Sequence, residues 1–412
     1  MNLDHSQITR LFARAALLIS LLVTGQIQIQ AKDTGFPLPS ALKKPEIWDQ
    51  KDFIDAWQPQ KAIARITHKT WPEPPLIFGL RPQQISGHFI DQKLESITLL
   101  FLDSGTHFGY IPREQAAATK KMNRESFQAL HTETSNKVQQ GLQQLTGSKG
   151  HPTSLGLTPM LRQNVLLFPS GNLTARYYSI PEQLVKVTFY RDANQAQSLW
   201  LDPAKVKLKR RDRIKQLAEN VFTAENGDRR LASIPLFPQG DRAYCGVSAL
   251  AMSMQYMGLN LDTEDYAAAA GIRYGSTKGS KIKEVYEAAG REANMRLSRS
   301  TKFDFRKAQA VLDSGLPIIV WRRWAKERDY VHTTFAARFA QDPSALLPQP
   351  DSRDRATWPD KKAFSHASVI TGYNSKRGEI IFTESWGEEA RNRRMRFEEM
   401  EGTVYYTFYP KL

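Results

Sequence analysis

The stretch Pro238-Gln-Gly-Asp-Arg-Ala-Tyr-Cys245-Gly-Val-Ser-Ala-Leu-Ala-Met-Ser-Met-Gln-Tyr-Met257-Gly258 holds the one cysteine of the 412-residue chain. Val247, Leu250, Ala251, Met254 and Met257 recur at helical spacing and Gly258 follows as a stop, so the pattern predicts a buried helix beginning at or just before Cys245. A thiol there faces unpaired amide N–H groups and the positive end of the helix dipole, which favour the thiolate over its reference pKa of about 8.5. A free cysteine is also a good small core residue, so the position alone does not decide between nucleophile and filler. Gln239, six positions earlier, is placed to turn its side-chain amide back toward the helix start, where it would join backbone N–H groups around a developing oxyanion.

Working toward the C-terminus, Phe364-Ser-His366-Ala-Ser-Val-Ile-Thr-Gly372-Tyr373-Asn374 reads as a strand with a histidine near its start. A Ser-Lys-Arg-Gly378 turn leads into Glu379-Ile-Ile-Phe-Thr-Glu384-Ser-Trp386-Gly387, the returning strand of a hairpin. Counted from the turn, His366 and Glu384 stand at comparable distances, so a base and an orienting carboxylate can face one another. His332 is a second candidate base without such a hairpin behind it, and is expected in a loop or a substrate cleft.

Gln, five residues, Cys-Gly at a helix start, then His-Ala on a strand ending in Gly-Tyr, then a polar residue before Ser-Trp-Gly: this order resembles the papain-like cysteine peptidases over residues 231–412. Among them it is most similar to the bacterial double-glycine-leader (bacteriocin-processing-like) peptidase domains. The resemblance implies an α+β fold, with a helical lobe against an antiparallel sheet lobe. It implies Cys245 as nucleophile, His366 as general base and then acid, and Gln239 as oxyanion donor. Trp386 would be the apolar cover over the histidine-to-acid hydrogen bond, with Gly246 and Ser365 beside it on the substrate side. The third triad position, Asn or Asp in the family, is Glu384 here, a longer side chain that must bend to reach the imidazole. The activity implied is hydrolysis of a peptide or isopeptide bond in a peptide or protein substrate through a thioester; an acyltransferase using the same triad, or an inactive scaffold serving as an adaptor, are the alternatives.

Between the halves of this site the sequence predicts two helices within Leu261–Ala289, interrupted over Gly271–Gly279, and a strand Leu316–Trp321. The polar insert Ala340–Lys362, with four prolines, is a candidate cleft lid. Upstream, residues 32–225 read as a separate α+β domain without catalytic signature. Strands are expected at Leu76–Leu80, Ile85–Ile90, Leu94–Leu102, Leu173–Ser179 and Leu184–Tyr190. A polar helical stretch spans Arg113–Leu145, with Phe127, Leu130, Val138, Leu142 and Leu145 along its apolar face, and stops at Gly147. Lys32–Pro75 is expected to be an irregular leader. Asn226-Gly-Asp-Arg-Arg230 is expected to be an exposed basic linker at the boundary, open to processing.

At the N-terminus, Arg10 and Arg14 precede the apolar run Ala15–Thr24 and a polar segment to Ala31, the order of a signal peptide over residues 1–31. This points to a secreted or periplasmic protein with no membrane span beyond that segment, since the run is about half the roughly twenty residues a spanning helix needs. With 57 Lys+Arg against 42 Asp+Glu, the net charge of +15 suits an anionic envelope surface as a further partner. Sequence-specific nucleic-acid binding is not expected, because no basic motif interleaved with aromatics stands out. One cysteine excludes an intramolecular disulfide, and the scattered His68, His88, His107, His131 and His151 show no HExxH or other ligand spacing, so neither metal nor cofactor is implied.

Overall fold

Alternation of branched and polar residues builds two antiparallel sheets, seen in a computed structural model that describes residues 38–59, 65–112, 114–232 and 234–412. The segment read as a signal peptide lies outside the described residues. The first sheet comprises β1 (Ile66–Thr70), β2 (Gln84–Ile90), β3 (Lys93–Asp103), β4 (His151–Leu155), β5 (Gln163–Ser170), β6 (Leu173–Ile180) and β7 (Leu184–Tyr190), ordered β1-β2-β3-β7-β6-β5-β4. Helix α1 (Ala116–Thr146) buries Phe127, Val138 and Leu142 against one face of it and ends where Gly147 takes a left-handed φ of 70°. Two expectations fail here. Leu76–Leu80 forms only an isolated bridge between Ile77 and Leu80, and the supposed leader contains β1. Asp103, at the end of β3, caps a short helix over Ser104–Phe108.

A short hairpin of β8 (Val221–Thr223) and β9 (Arg229–Leu231) leads into the second half of the chain. There, α2 (Cys245–Tyr256), α3 (Thr263–Ala270) and α4 (Ile282–Glu292) form the helical lobe. Asp262 starts α3 with a reciprocal capping box to Asp265, and Gly271 ends it at φ 70°. The sheet lobe holds β10 (Arg296–Ser300), β11 (Ile318–Trp324), β12 (Phe364–Asn374), β13 (Glu379–Thr383), β14 (Arg393–Arg396) and β15 (Val404–Lys411), in the order β10-β15-β11-β12-β13-β14. Helices α5 (Phe305–Asp313), α6 (Lys326–Gln341) and α7 (Phe397–Thr403) complete this half. The expected class, an α+β chain with a helical lobe and an antiparallel sheet lobe, is the one observed.

All described residues belong to one compact unit, and one apolar core runs through both halves: Leu100, Leu155, Tyr178 and Trp200 share it with Leu250, Met254 and Tyr266. The contact is also polar. Lys186 on β7 is buried between Asp262 (2.9 Å) and Asp265 (2.7 Å), and the buried Glu292 carboxylate accepts the amides of Leu157 (3.0 Å) and Thr158 (3.1 Å). The stretch expected to be an exposed linker is instead partly buried and paired. Arg229 and Arg230 lie in β9 opposite Tyr373 and Gly372, and Asp228 is buried against Asn374 and Arg394. The segment expected to be a lid is likewise tied down. Its first residues belong to α6, and Arg377 and Arg396 donate to the carbonyls of Ala345 (2.7 Å) and Leu347 (3.0 Å), fastening it to the β12–β13 turn and β14.

Candidate active site

Cys245 is the first residue of α2, as the apolar spacing requires, and its thiol is half-buried. The helix start is wedged in place. A Cβ on Gly246 would come within 2.4 Å of the Trp321 ring, and the carbonyl of Gly246 accepts the hydroxyl of Tyr286 at 2.7 Å, which itself takes the indole N–H of Trp321 at 3.2 Å. Only glycine fits that approach. Burial works against charge on the sulfur. A hydrogen bond to His366 and the charge of that ring, with the N–H groups of Ala367 and Gly246, nevertheless bring the thiol below its ordinary value.

His366 lies near the start of β12, and its Nε2–H donates to Glu384 Oε2 at 2.6 Å, which leaves Nδ1 to serve the thiol. Burial opposes the imidazolium, but the Glu384 carboxylate and the hydrogen bond with Cys245 outweigh it and raise the group to about 9. Trp386 stacks on the imidazole with centroids 4.5 Å apart and planes 28° apart, so one ring face is covered by an electron-rich surface that favours the cationic form.

Glu384 is fully buried, and every lone pair that matters is used. Oε2 takes His366; Oε1 takes Arg322 Nη2 at 2.7 Å and Ser368 Oγ at 2.9 Å. Burial would push this carboxyl up, yet His366 and then Arg322 hold it at about 2. The extra methylene of Glu over Asp is thereby accommodated by a carboxylate gripped from three directions.

Gln239 is joined to the group through Ser385. Its amide N–H donates to the Ser385 carbonyl (2.7 Å), its Oε1 accepts the Ser385 hydroxyl (2.7 Å), and its Nε2 donates one hydrogen to the Arg242 carbonyl (3.2 Å). The second amide hydrogen is left for another acceptor. Gly246 contributes its N–H to the thiol and otherwise packs inward. Ser365 is not brought in: it is exposed, opposite Arg323, on the other face of β12 from His366. His332, expected in a loop or cleft, lies in α6, almost fully buried, with Nε2 2.9 Å from Glu399. It belongs to the packing behind the sheet.

Sequence reading misses Arg322 and Ser368. Ser368 stands two residues after His366, on the same face of one strand, and that spacing was a usable signal. Arg322 continues the Ile318, Val320 series, a cation on a face otherwise apolar, which calls for a buried anion. Among the described residues no group of His, Cys, Asp and Glu is arranged to hold a metal ion.

Comparison with known proteins gives one family. Residues 231–410 match the model of the Peptidase_C39 like family. No curated protein matches the chain. A solved structure from Bacillus anthracis, of a protein assigned as a C39-like peptidase, is similar at 15% sequence identity and a TM-score of 0.29, over 44% of this chain and 96% of that one.

Proposed function

From the relationship of residues 231–410 to the papain-like cysteine peptidase superfamily, we propose that the chain is an exported cysteine-type peptidase working through Cys245, His366 and Glu384. The observation that carries this reading is the 2.6 Å contact of His366 with Glu384 beneath Trp386, with the other imidazole nitrogen turned to a thiol at a helix start. The Cys245 thiolate attacks the scissile carbonyl carbon, and the oxyanion is met by backbone N–H groups at the start of α2 and by the free amide hydrogen of Gln239. Imidazolium His366 gives its proton to the leaving amine as the C–N bond breaks, leaving a thioester. Neutral His366 then takes a proton from water, whose oxygen attacks the thioester; the C–S bond breaks, the acid departs and the thiolate–imidazolium pair is restored.

The basic apolar leader at residues 1–31 supports a secreted or periplasmic location, and no described helix is long and apolar enough to cross a membrane. The test is intact-mass measurement after iodoacetamide treatment near neutral pH, followed by incubation with candidate envelope proteins beside Cys245→Ala. Expected are single labelling at Cys245 and cleavage products absent from the variant. An unlabelled thiol in folded protein would overturn the nucleophile; labelling with no hydrolysis, and with product only when an amine is added, would move the assignment to acyl transfer.

A further inference from the structure

The charges about His366 close into a ring. Glu384 links the imidazole to Arg322, and the same Nη2 of Arg322 lies 3.9 Å from Asp329 on α6. Asp329 accepts Arg393 Nη1 at 3.0 Å on each carboxylate oxygen, the Arg393 guanidinium lies 4.9 Å over the Trp386 ring, and Trp386 stacks back onto His366. Arg322, Arg393 and Glu384 are 2%, 4% and 0% exposed. Resting on the assignment of Cys245, His366 and Glu384 given above, we propose that Arg322 is a positioning residue of the triad. Its charge makes a buried glutamate serviceable in the third place, and through Asp329 and Arg393 the same ion-pair chain holds Trp386 on the imidazole.

The physical need is plain. A carboxylate wholly out of water is costly unless it is paired and hydrogen-bonded. Without a cation, Glu384 would either take up a proton and release His366, or bind the imidazolium so tightly that the ring could not surrender its proton to a leaving amine. Arg322 offsets that charge from the side opposite the imidazole, and Ser368 fills the remaining site on the same oxygen. The groups that face this cluster are Cys245 from α2, Asp329 from α6 and Arg393 from β14. Beyond the Phe382 ring, His332 and Arg328 are committed to Glu399 of α7.

The test is the pH dependence of Cys245 alkylation by iodoacetamide in the full chain, for the native protein, Arg322→Met, Arg322→Lys and Ser368→Ala. Removing a fixed positive charge raises the pKa of every group near it, so Arg322→Met should move both the acid and the basic limb upward by about one pH unit. Arg322→Lys and Ser368→Ala should keep both limbs within a few tenths of a unit. Should Arg322→Met lose its near-UV circular dichroism, the comparison passes to Glu384→Gln and the double variant Glu384→Gln/Arg322→Met. In the first, the cation stands beside a neutral amide; in the second, it is gone, and the limbs should lie higher. Unmoved limbs, or equal displacement in the Lys and Met forms, would overturn the charge role of Arg322. A native protein whose Cys245 alkylates only at ordinary thiol pH would overturn the triad assignment itself and this inference with it.

Discussion

The hydroxyl of Tyr244 donates a 2.8 Å hydrogen bond to Asp103, so the residue just before Cys245 is held by the last residue of β3 in the other half of the chain. The fit is close: a Cβ on Gly105 would sit 2.3 Å from the Tyr244 ring. Asp103 Oδ2 also lies 3.6 Å from Arg242, which is ion-paired with the buried Glu264. The loop that carries Gln239 and delivers Cys245 is thus anchored in the first sheet. Tyr244→Phe and Asp103→Asn should each lower kcat/KM by roughly tenfold, the equivalent of about 1.4 kcal/mol, and the double variant should lose little more than either single one, because both remove one shared bond. Additive losses would mean that the two residues act separately.

The pH behaviour follows from the two partners. The thiol lies below its ordinary value and His366 is raised to about 9, so the thiolate–imidazolium pair is favoured and persists up to about pH 9. Peptidase activity should fall on the basic side with a midpoint near 9, measured as kcat/KM against pH. For stability the sign is that of a raised cationic group. The contribution of His366 is present in full below its unfolded pKa of about 6.5 and is lost as pH rises through 9. Chemical denaturation at pH 6 and pH 10 should show that loss, and Glu384→Gln should largely abolish the difference.

Glu384→Gln and Glu384→Ala separate charge from orientation. Gln keeps an acceptor for His366 but turns an amide N–H toward Arg322 and Ser368, both donors to the present Oε1. Ala removes the contact with the imidazole altogether. Activity should fall by up to roughly 10⁴-fold, the loss seen when a triad acid is neutralised, with Ala the slower enzyme. Unchanged rates in both would show that another group orients His366.

How much of this was legible in the sequence depends on how local each signal is. The start of α2 at Cys245 rests on apolar spacing within one segment, and the His366–Glu384 contact on counting along one hairpin, so both can be read without the rest of the chain. Arg322 reaches Glu384 across 62 residues and Asp103 reaches Tyr244 across 141, and nothing in either segment names its partner. The strand Ile66–Thr70 carries three polar side chains and a lysine among five residues, so its alternation is weak, and pairing with β2 is what makes it a strand. His332 failed for a different reason: its partner Glu399 sits on α7, and the burial of this face of α6 cannot be inferred from a stretch that reads as polar.

Lys186 should matter for folding rather than for chemistry. It is buried with Asp262 and Asp265, which together overcome the effect of burial and keep it protonated. Lys186→Met would leave two carboxylates at the start of α3 without their cation, and removing one partner of a buried pair typically costs about 3–5 kcal/mol. A thermal melt of the variant should show a clearly lowered midpoint, with kcat/KM near native at temperatures where it is folded.

The last expectation concerns the first half of the chain, which the matching family does not cover. An N-terminal segment preceding a peptidase can be an inhibitory piece that is cut away, and the two possibilities predict different products. Here β9 pairs with β12, the Trp200 backbone bridges to Leu259, and the apolar core and the Lys186 pairs are shared between the halves. Removing the first half would expose that core and leave Asp262, Asp265 and Glu292 without the groups they bind. Limited proteolysis at the β8–β9 turn should therefore yield two fragments that stay together on size exclusion, with activity close to that of the intact chain. Protein from its native host should still contain both halves. A stable species beginning near Leu231 and more active than the whole would reverse this and make residues 32–225 a pro-segment.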